Sequence, residues 1–181
     1  TGAPALVSPG HLADRLLAAL PFALTRAQKR VMAEISHDLA QTHPMHRLLQ
    51  GDVGSGKTIL AALAACQAIE AGYQAAFMAP TEILAEQHYL KLNEWLTPLG
   101  IEVVWLSGRL KKSVKQARQA QAAGASHLLV GTHALIQEYV GFDALGLVVT
   151  DEQHRFGVAQ RSALEKKSAV TPDVLVMTAT P

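Results

Sequence analysis

Short apolar runs alternate with longer segments of helical periodicity along this chain. The runs hold four or five residues and are rich in aliphatic side chains, which is typical of strands buried on both faces of a parallel sheet. Glycines follow three of the longer segments, where helices commonly end. The pattern therefore predicts an α/β fold with a mainly parallel sheet. The candidate strands are 47–50, 75–79, 103–106, 128–131, 147–150 and 174–178; the candidate helices are 12–20, 25–39, 57–70, 82–96, 112–122 and 159–166; the glycines are Gly72, Gly100 and Gly124.

Composition favours a single soluble domain. With 181 residues and 49% apolar side chains, the chain can bury one core, and its formal net charge of +1 gives no indication of a nucleic-acid partner. The one cysteine, Cys66, lies in an alanine-rich helical pattern, which excludes a disulfide framework and predicts a buried, inert thiol. The N-terminus lacks a secretory profile, and no apolar run approaches the ~20 residues of a membrane span. We therefore expect a cytoplasmic protein with no membrane partner.

A glycine-rich phosphate loop is the most specific motif. Residues 51–58 fit the pattern G-x-x-x-x-G-K-[ST], with an apolar strand before them and an alanine-rich helix after them. Glycines let backbone N–H groups turn toward phosphate oxygens, and the helix N-terminus adds its positive dipole end. Lys57 is expected to reach the β- and γ-phosphates, and the Thr58 hydroxyl to bind Mg²⁺. The candidate nucleotide ligands in this loop are Gly51, Asp52, Val53, Gly54, Ser55, Gly56, Lys57 and Thr58.

A pair of adjacent carboxylates, Asp151 and Glu152, closes a later apolar strand. Ligands of open parallel sheets gather at the carboxyl ends of the strands, so we expect Asp151 to lie beside the phosphate loop and hold Mg²⁺ directly or through water. Glu152 would then orient and deprotonate the attacking water. With Lys57, these two carboxylates are the candidate catalytic residues. For the acidic motif taken alone, a surface pair at a strand end is an equally good interpretation.

Four stretches together resemble superfamily 2 helicases, over about residues 20–181. They are 45–58, 79–88, 131–135 and 151–157. The resemblance implies a RecA-like P-loop NTPase fold with helices on both faces of the sheet, and ATP hydrolysis coupled to movement on DNA. Two bacterial families fit: helicases that act on branched DNA by fork reversal and branch migration, in recombination and repair, and the sister transcription-repair coupling translocases. Gln153-His154 and Leu49-Gln50 favour the branched-DNA helicases.

The resemblance assigns roles to further residues. Gln28 would read the adenine edge and favour ATP, although a water-exposed residue in the first turn of a helix is the more common situation. Residues at three strand ends would contact the phosphate backbone of DNA without reading its sequence; for Thr81 and Thr132, an ordinary helix cap is an equally good alternative. A third set of residues, in and after the acidic motif and at the end of the chain, would couple the state of the bound nucleotide to DNA binding. The DNA residues are Pro80, Thr81, Glu82, Ser107, Gly108, Gly131, Thr132 and His133, and the coupling residues are His154, Thr178 and Thr180.

The expected organisation is a linker and lead-in helix over 1–20 and an ATP-binding helicase domain over 21–181, cut off before a second motor lobe. No arginine finger can be assigned in this sequence, and such a residue typically raises turnover about 10³- to 10⁵-fold. We therefore expect this chain to bind ATP with Mg²⁺, to hydrolyse it slowly and not to unwind DNA alone. A GTPase is excluded because no Asn-Lys-x-Asp motif is present. A lobe that binds nucleotide without hydrolysing it is an open alternative, although it would not need Glu152.

Overall fold

Strands and helices alternate in the computed structural model, which describes residues 3–51, 55–107, 127–138, 145–152 and 172–179. The strands are β1 (His46–Gly51), β2 (Gln74–Ala79), β3 (Glu102–Trp105), β4 (His127–Thr132), β5 (Leu145–Glu152) and β6 (Asp173–Ala179). The α-helices are α1 (His11–Ala19), α2 (Arg26–Leu39), α3 (Ser55–Glu70), α4 (Glu82–Leu96) and α5 (His133–Glu138), and a 3₁₀ turn, Thr97–Leu99, follows α4.

The six strands form one sheet in the order β1-β6-β5-β2-β4-β3, and every described pair is parallel. The parallel sheet predicted from the apolar runs is therefore present. All six residues of β2 and all six of β4 are buried, as expected for strands covered on both faces. The order also sets β6, the last strand in sequence, between β1 and β5.

Alternate residues of the strands β2 and β4 pack into two different cores. On one face, Phe77 belongs to the larger core with apolar residues of α1, α2, α3 and α4. On the other face, its neighbour Met78 packs in a smaller core with Ile136 of α5. The period of two along the strand produces this division. Helices thus cover both faces in the described ranges.

Local sequence explains where the helices begin and end. Thr25 caps α2 in a capping box with Gln28, and the Thr81 hydroxyl caps α4 by accepting from the Leu84 N–H. Gly100 ends the 3₁₀ turn at φ 85°, a left-handed conformation that glycine adopts readily. Helix α4 has the predicted bounds. Five of the described strands extend one or two residues beyond their apolar runs, whereas β3 begins and ends one residue before its predicted run. The predicted helices 112–122 and 159–166, and Gly124, lie outside the described residues.

The segment before α2 packs against the rest of the chain. Leu6 and Leu16 are fully buried in the larger core. The Gln67 side chain of α3 donates to the Leu6 carbonyl at 2.6 Å. Glu70, also on α3, accepts from the Gly10 N–H at 2.9 Å and from the Leu12 N–H at 3.1 Å, so it holds the start of α1. Burial alone would raise the pKa of Glu70, but these hydrogen bonds and one from Ser8 lower it. Residues 3–19 are thus tied to α3 by both apolar and polar contacts.

Candidate nucleotide and nucleic-acid site

The carboxyl ends of β1, β6 and β5 meet at one edge of the sheet. In the register of these strands, Gln50 is paired with Thr178 and Gly51 with Ala179, while Thr178 is also opposite Glu152. The start of the phosphate loop, a predicted coupling residue and the predicted general base therefore occupy three adjacent strand ends. The sheet topology brings together motifs that lie far apart in sequence.

Lys57 joins the phosphate loop to this edge. It lies in the first turn of α3, and its Nζ donates to the Thr178 carbonyl at 2.6 Å. Thr58, the next residue, is buried, with 7% of its surface exposed. The N-terminus of α3 adds its positive dipole end at the same place. A lysine ammonium, a hydroxyl and a helix N-terminus together suit a polyphosphate.

Asp151 is largely buried and hydrogen-bonded to a histidine. Its Oδ2 lies 2.7 Å from Nε2 of His88 on α4, with the two side chains 12% and 14% exposed. An ionised carboxylate only accepts hydrogen bonds, so Nε2 of His88 is the donor. Glu152 follows at the end of β5 and is half-buried. The two adjacent carboxylates thus differ in burial.

His133, a predicted DNA contact, is packed against the sheet. Its Nε2 lies 3.2 Å from the Thr150 hydroxyl, and the ring also hydrogen-bonds with the Met78 backbone. Burial lowers the pKa of His133 to about 4, against the opposing effects of nearby Asp151 and of the Met78 hydrogen bond. The imidazole is therefore neutral near pH 7. A neutral ring adds no positive charge for a DNA phosphate.

Gln28 lies against the phosphate loop. Its Oε1 accepts from the Thr25 N–H at 2.8 Å, which completes the capping box of α2. A Cβ placed on Gly56 would lie only 2.9 Å from Nε2 of Gln28, so the absence of a side chain at position 56 lets the amide approach. An amide oxygen has two acceptor sites, so the capping bond does not prevent Gln28 from contacting a base. The capping alternative is therefore present, and the Gln28 amide also lies beside a glycine of the phosphate loop.

The predicted DNA residues lie at the ends of β2, β3 and β4. Thr81 is exposed and caps α4, and Ser107 donates to Glu82 at 3.4 Å. The Thr132 hydroxyl accepts from the Leu135 N–H at 3.2 Å, so it also acts as a helix cap. Pro80 lies beside Thr81. A Cβ on Gly131 would lie 3.0 Å from the Leu106 carbonyl, so there is little room for a side chain at this position. The described members of this set form one polar edge beside the nucleotide motifs, since β2 lies next to β5.

Six of the predicted site residues lie outside the described part of the chain: Asp52, Val53, Gly54, Gly108, His154 and Thr180.

One contact at the site was not predicted from the sequence, namely that of His88 with Asp151. A sequence signal was available for it, since Ala85, His88 and Leu92 lie three and four residues apart on the face of α4 toward the sheet.

Two further properties of the described residues concern metal binding and membranes. Among the described residues, no group of three or more His, Cys, Asp or Glu side chains could hold a metal ion. In the same ranges, no helix is long and apolar enough to span a bilayer.

Comparison with known proteins relates this site to helicases. Residues 25–181 match the DEAD/DEAH box helicase family. An ATP-dependent DNA helicase RecG from Acidithiobacillus ferridurans is 57% identical over 99% of this chain and 26% of the relative. RecG of Escherichia coli (strain K12) is 57% identical over 94% of this chain and 25% of the relative. The chain thus spans about a quarter of the length of these curated relatives.

Solved structures give the same result for the fold. A structure of RecG bound to a three-way DNA junction is 45% identical, with a TM-score of 0.85, over 99% of this chain and 24% of that chain. The crystal structure of the UvsW helicase from bacteriophage T4, at 17% identity and a TM-score of 0.64, covers 91% of this chain and 58% of that chain, and it supports the fold alone. The predicted RecA-like fold and helicase resemblance are confirmed. Since the family match runs through both the phosphate loop and the acidic motif, the chain belongs to the DEAD/DEAH box helicase family.

Proposed function

We propose that this chain is the first RecA-like motor lobe of a DNA helicase that couples ATP hydrolysis to movement on branched DNA, in fork reversal, branch migration, recombination and repair. The observation that carries the proposal is the adjacency of β1, β6 and β5, which sets Lys57, Asp151 and Glu152 at one sheet edge. The relatives named ATP-dependent DNA helicase RecG support ATP as the nucleotide. The solved relative bound to a three-way junction supports branched DNA as the partner.

Phosphate binding falls to residues 51–58 and the N-terminus of α3. Lys57 carries three N–H donors, so the ammonium that bonds the Thr178 carbonyl can also bond the β- and γ-phosphates. Gln28, held against Gly56, would contact the adenine edge and favour ATP over GTP. In this arrangement one lysine links the nucleotide to strand β6.

The site also fits Mg²⁺. Thr58 and Asp151 offer a hydroxyl and a carboxylate, and Mg²⁺ prefers such oxygen ligands, usually keeping several waters and binding substrate phosphates. When bound, the ion would offset negative charge on the phosphate oxygens.

Glu152 is proposed as the general base. It follows Asp151 directly and is paired in register with Thr178, whose carbonyl accepts from Lys57. A carboxylate there can orient the attacking water and take its proton. Lys57 and Asp151 complete the catalytic set.

The DNA-binding role would fall to Pro80, Thr81, Glu82, Ser107, Gly131, Thr132 and His133 at this polar edge, and to Gly108, which lies outside the described residues. Its hydroxyls and helix N-termini suit a phosphate backbone, and contacts of this kind position a strand without reading its sequence. His133 would contribute through its backbone, because its ring packs on Thr150. His154, Thr178 and Thr180 would pass the state of the nucleotide to this edge, and Thr178 already bonds Lys57 through its carbonyl.

The partners of the chain follow from the same proposal. A second motor lobe of the parent protein would complete the ATP site and supply the arginine finger, and the protein would act in the bacterial cytoplasm. Residues 21–181 would form the ATP-binding domain, and 1–20 a linker and lead-in helix. The chain on its own would bind ATP and hydrolyse it slowly.

Glu152→Gln in the full-length protein tests the assignment of the base. We expect ATP turnover to fall about 10²- to 10⁴-fold while ATP binding stays within twofold, because the amide keeps the shape of the carboxylate but cannot take a proton. The matched control is Glu102→Gln, the same chemical change at the exposed start of β3. Unchanged turnover in Glu152→Gln would remove this residue from the mechanism.

Steady-state ATP hydrolysis with and without forked DNA tests the half-motor proposal. We expect DNA-stimulated turnover in the full-length protein and little turnover in the 181-residue chain. Rapid DNA-stimulated hydrolysis by the chain alone would mean that it completes its own site. Absence of hydrolysis in both proteins, with ATP still bound, would favour a lobe that binds nucleotide without hydrolysing it.

A further inference from the structure

His88 contacts the carboxylate proposed for Mg²⁺ from a helix that also begins at a proposed DNA contact. Its Nε2 donates to Oδ2 of Asp151 at 2.7 Å, a length typical of a charge-assisted hydrogen bond. Both side chains are largely buried, so water competes weakly for this bond. The contact uses Oδ2, and Oδ1 is a separate oxygen of the same carboxylate. The histidine therefore defines which way the carboxylate faces.

The imidazole is itself held in place. The His88 ring packs on Phe77 of β2 with 4.6 Å between ring centroids and an interplanar angle of 44°. Phe77 is almost fully buried, and its strand lies beside β5 in register with Val149. The donor is therefore fixed relative to the strand that carries Asp151. A carboxylate rotates in a broad torsional well, so a fixed donor restricts the orientations open to it.

Helix α4 links this contact to the polar edge. The helix is capped by Thr81, begins at Glu82 and reaches His88 six residues later, which corresponds to about 9 Å along the axis. No proline or glycine interrupts these turns, so the segment is expected to move as a rod. A shift of the helix N-terminus on a DNA backbone would displace the Nε2 donor by a similar distance.

We propose that His88 is a positioning residue that orients Asp151 for the divalent cation and, through α4, ties cation binding to DNA binding at Thr81. The inference rests on the proposed function, in which Asp151 meets the metal and Thr81 meets DNA. His88 does not itself touch nucleotide. It acts through the orientation of the carboxylate, as hydrogen-bond partners of metal ligands commonly do; their loss typically weakens metal binding about 10- to 100-fold.

Binding of Mn²⁺ to the full-length protein with a non-hydrolysable ATP analogue, followed by electron paramagnetic resonance, tests the inference. His88→Leu keeps an apolar side chain next to Phe77 and removes the donor. We expect it to weaken Mn²⁺ binding about 10-fold. His88→Gln places an amide N–H close to the position of Nε2 and should recover most of that affinity. Tyr89→Leu is the control, because Tyr89 stacks on Trp105 at 5.3 Å from the same helix. It should bind Mn²⁺ within twofold of the natural protein.

The same titrations with forked DNA test the link through α4. We expect DNA to change the Mn²⁺ affinity of the natural protein, and His88→Leu to lose that change while still binding DNA, as measured by fluorescence anisotropy. Natural Mn²⁺ affinity in His88→Leu, or equal losses in His88→Leu and His88→Gln, would overturn the positioning role. An unchanged response to DNA in His88→Leu would overturn the link. Failure of the proposed function has a different result, namely no DNA-stimulated ATP hydrolysis by the natural protein.

Discussion

The buried carboxyl group of Asp173 should make the free energy of unfolding depend on pH. This side chain is fully buried at the start of β6, and its Oδ1 accepts from the Met45 N–H at 2.6 Å. Oδ2 has no hydrogen-bond partner within the described ranges. Burial, reinforced by the negative charge of Asp38 and opposed by the Met45 hydrogen bond, raises the pKa of Asp173 from 3.8 to about 7. The folded chain therefore holds this proton at pH values where the unfolded chain has lost it.

The sign of the effect follows from the two pKa values. Below pH 3.8 both states are protonated, and the group does not contribute to the pH dependence. Between about pH 4 and pH 7 the unfolded chain ionises while the folded chain does not, so the free energy of unfolding falls as pH rises. Above about pH 7 both states are ionised, and the whole cost is present. One pKa unit corresponds to about 1.4 kcal/mol, so the loss between pH 5 and pH 8 is about 3 kcal/mol.

Asp173→Asn removes this titration. Its amide oxygen can still accept from the Met45 N–H, while the buried amide nitrogen adds a cost of about 1–3 kcal/mol that is the same at every pH. We therefore expect the stability of the variant, relative to the natural chain, to rise by about 3 kcal/mol from pH 5 to pH 8. Urea unfolding of the chain, followed by tryptophan fluorescence, measures the difference. Asp14→Asn, at an exposed position of α1, is the control. A difference that stays constant with pH would refute the reasoning.

Other changes separate packing from binding. Leu16→Ala should lower the free energy of unfolding by about 2–5 kcal/mol, because Leu16 is fully buried. Leu17→Ala, on the exposed side of the same helix, should lower it by much less. Urea unfolding measures both changes. Gly146→Ala should destabilise the chain in the same assay, because its methyl group would lie 2.8 Å from Cβ of Tyr73. Lys57→Ala should weaken binding of a fluorescent ATP analogue about 10- to 100-fold through loss of charge-assisted hydrogen bonds, and unchanged affinity would contradict the role of Lys57.

Much of the fold follows from local sequence. The buried runs of β2 and β4 predict strands because few other structures cover aliphatic side chains on every side. Thr81 and the apolar spacing after it define α4 correctly. Two features of the fold could not be predicted from the sequence. Helix α5 has six residues, too few for a helical period to be recognised, and β5 continues through Asp151 and Glu152 because β6 pairs with them. The end of β5 is therefore set by hydrogen-bonded pairing with β6 and not by the hydrophobicity of its residues.

The identity of the main site residues could also be predicted from the sequence, whereas the contacts between them could not. The phosphate loop and the acidic pair are contiguous motifs, so their chemistry can be inferred residue by residue. Their contacts depend on which elements become neighbours. Lys57 meets Thr178, and Gln28 meets Gly56, only after the sheet and helices have assembled. A histidine on the buried face of a helix is usually a packing residue, so His88 is not marked as a site residue by sequence. Its contact with Asp151 requires α4 to pack on β2, the strand beside β5.

The position of β6 also has a consequence for synthesis of the protein. In the described ranges β1 pairs with β6 alone, and Met45, just before β1, bonds Asp173 at a separation of 128 residues. A ribosome adding about 5–20 residues per second needs roughly 6–25 seconds to cover that distance. During this interval β1, the strand that leads into the phosphate loop, is synthesised but not yet paired with β6. We therefore expect the nascent chain to bind nucleotide only late in synthesis, when β6 inserts between β1 and β5.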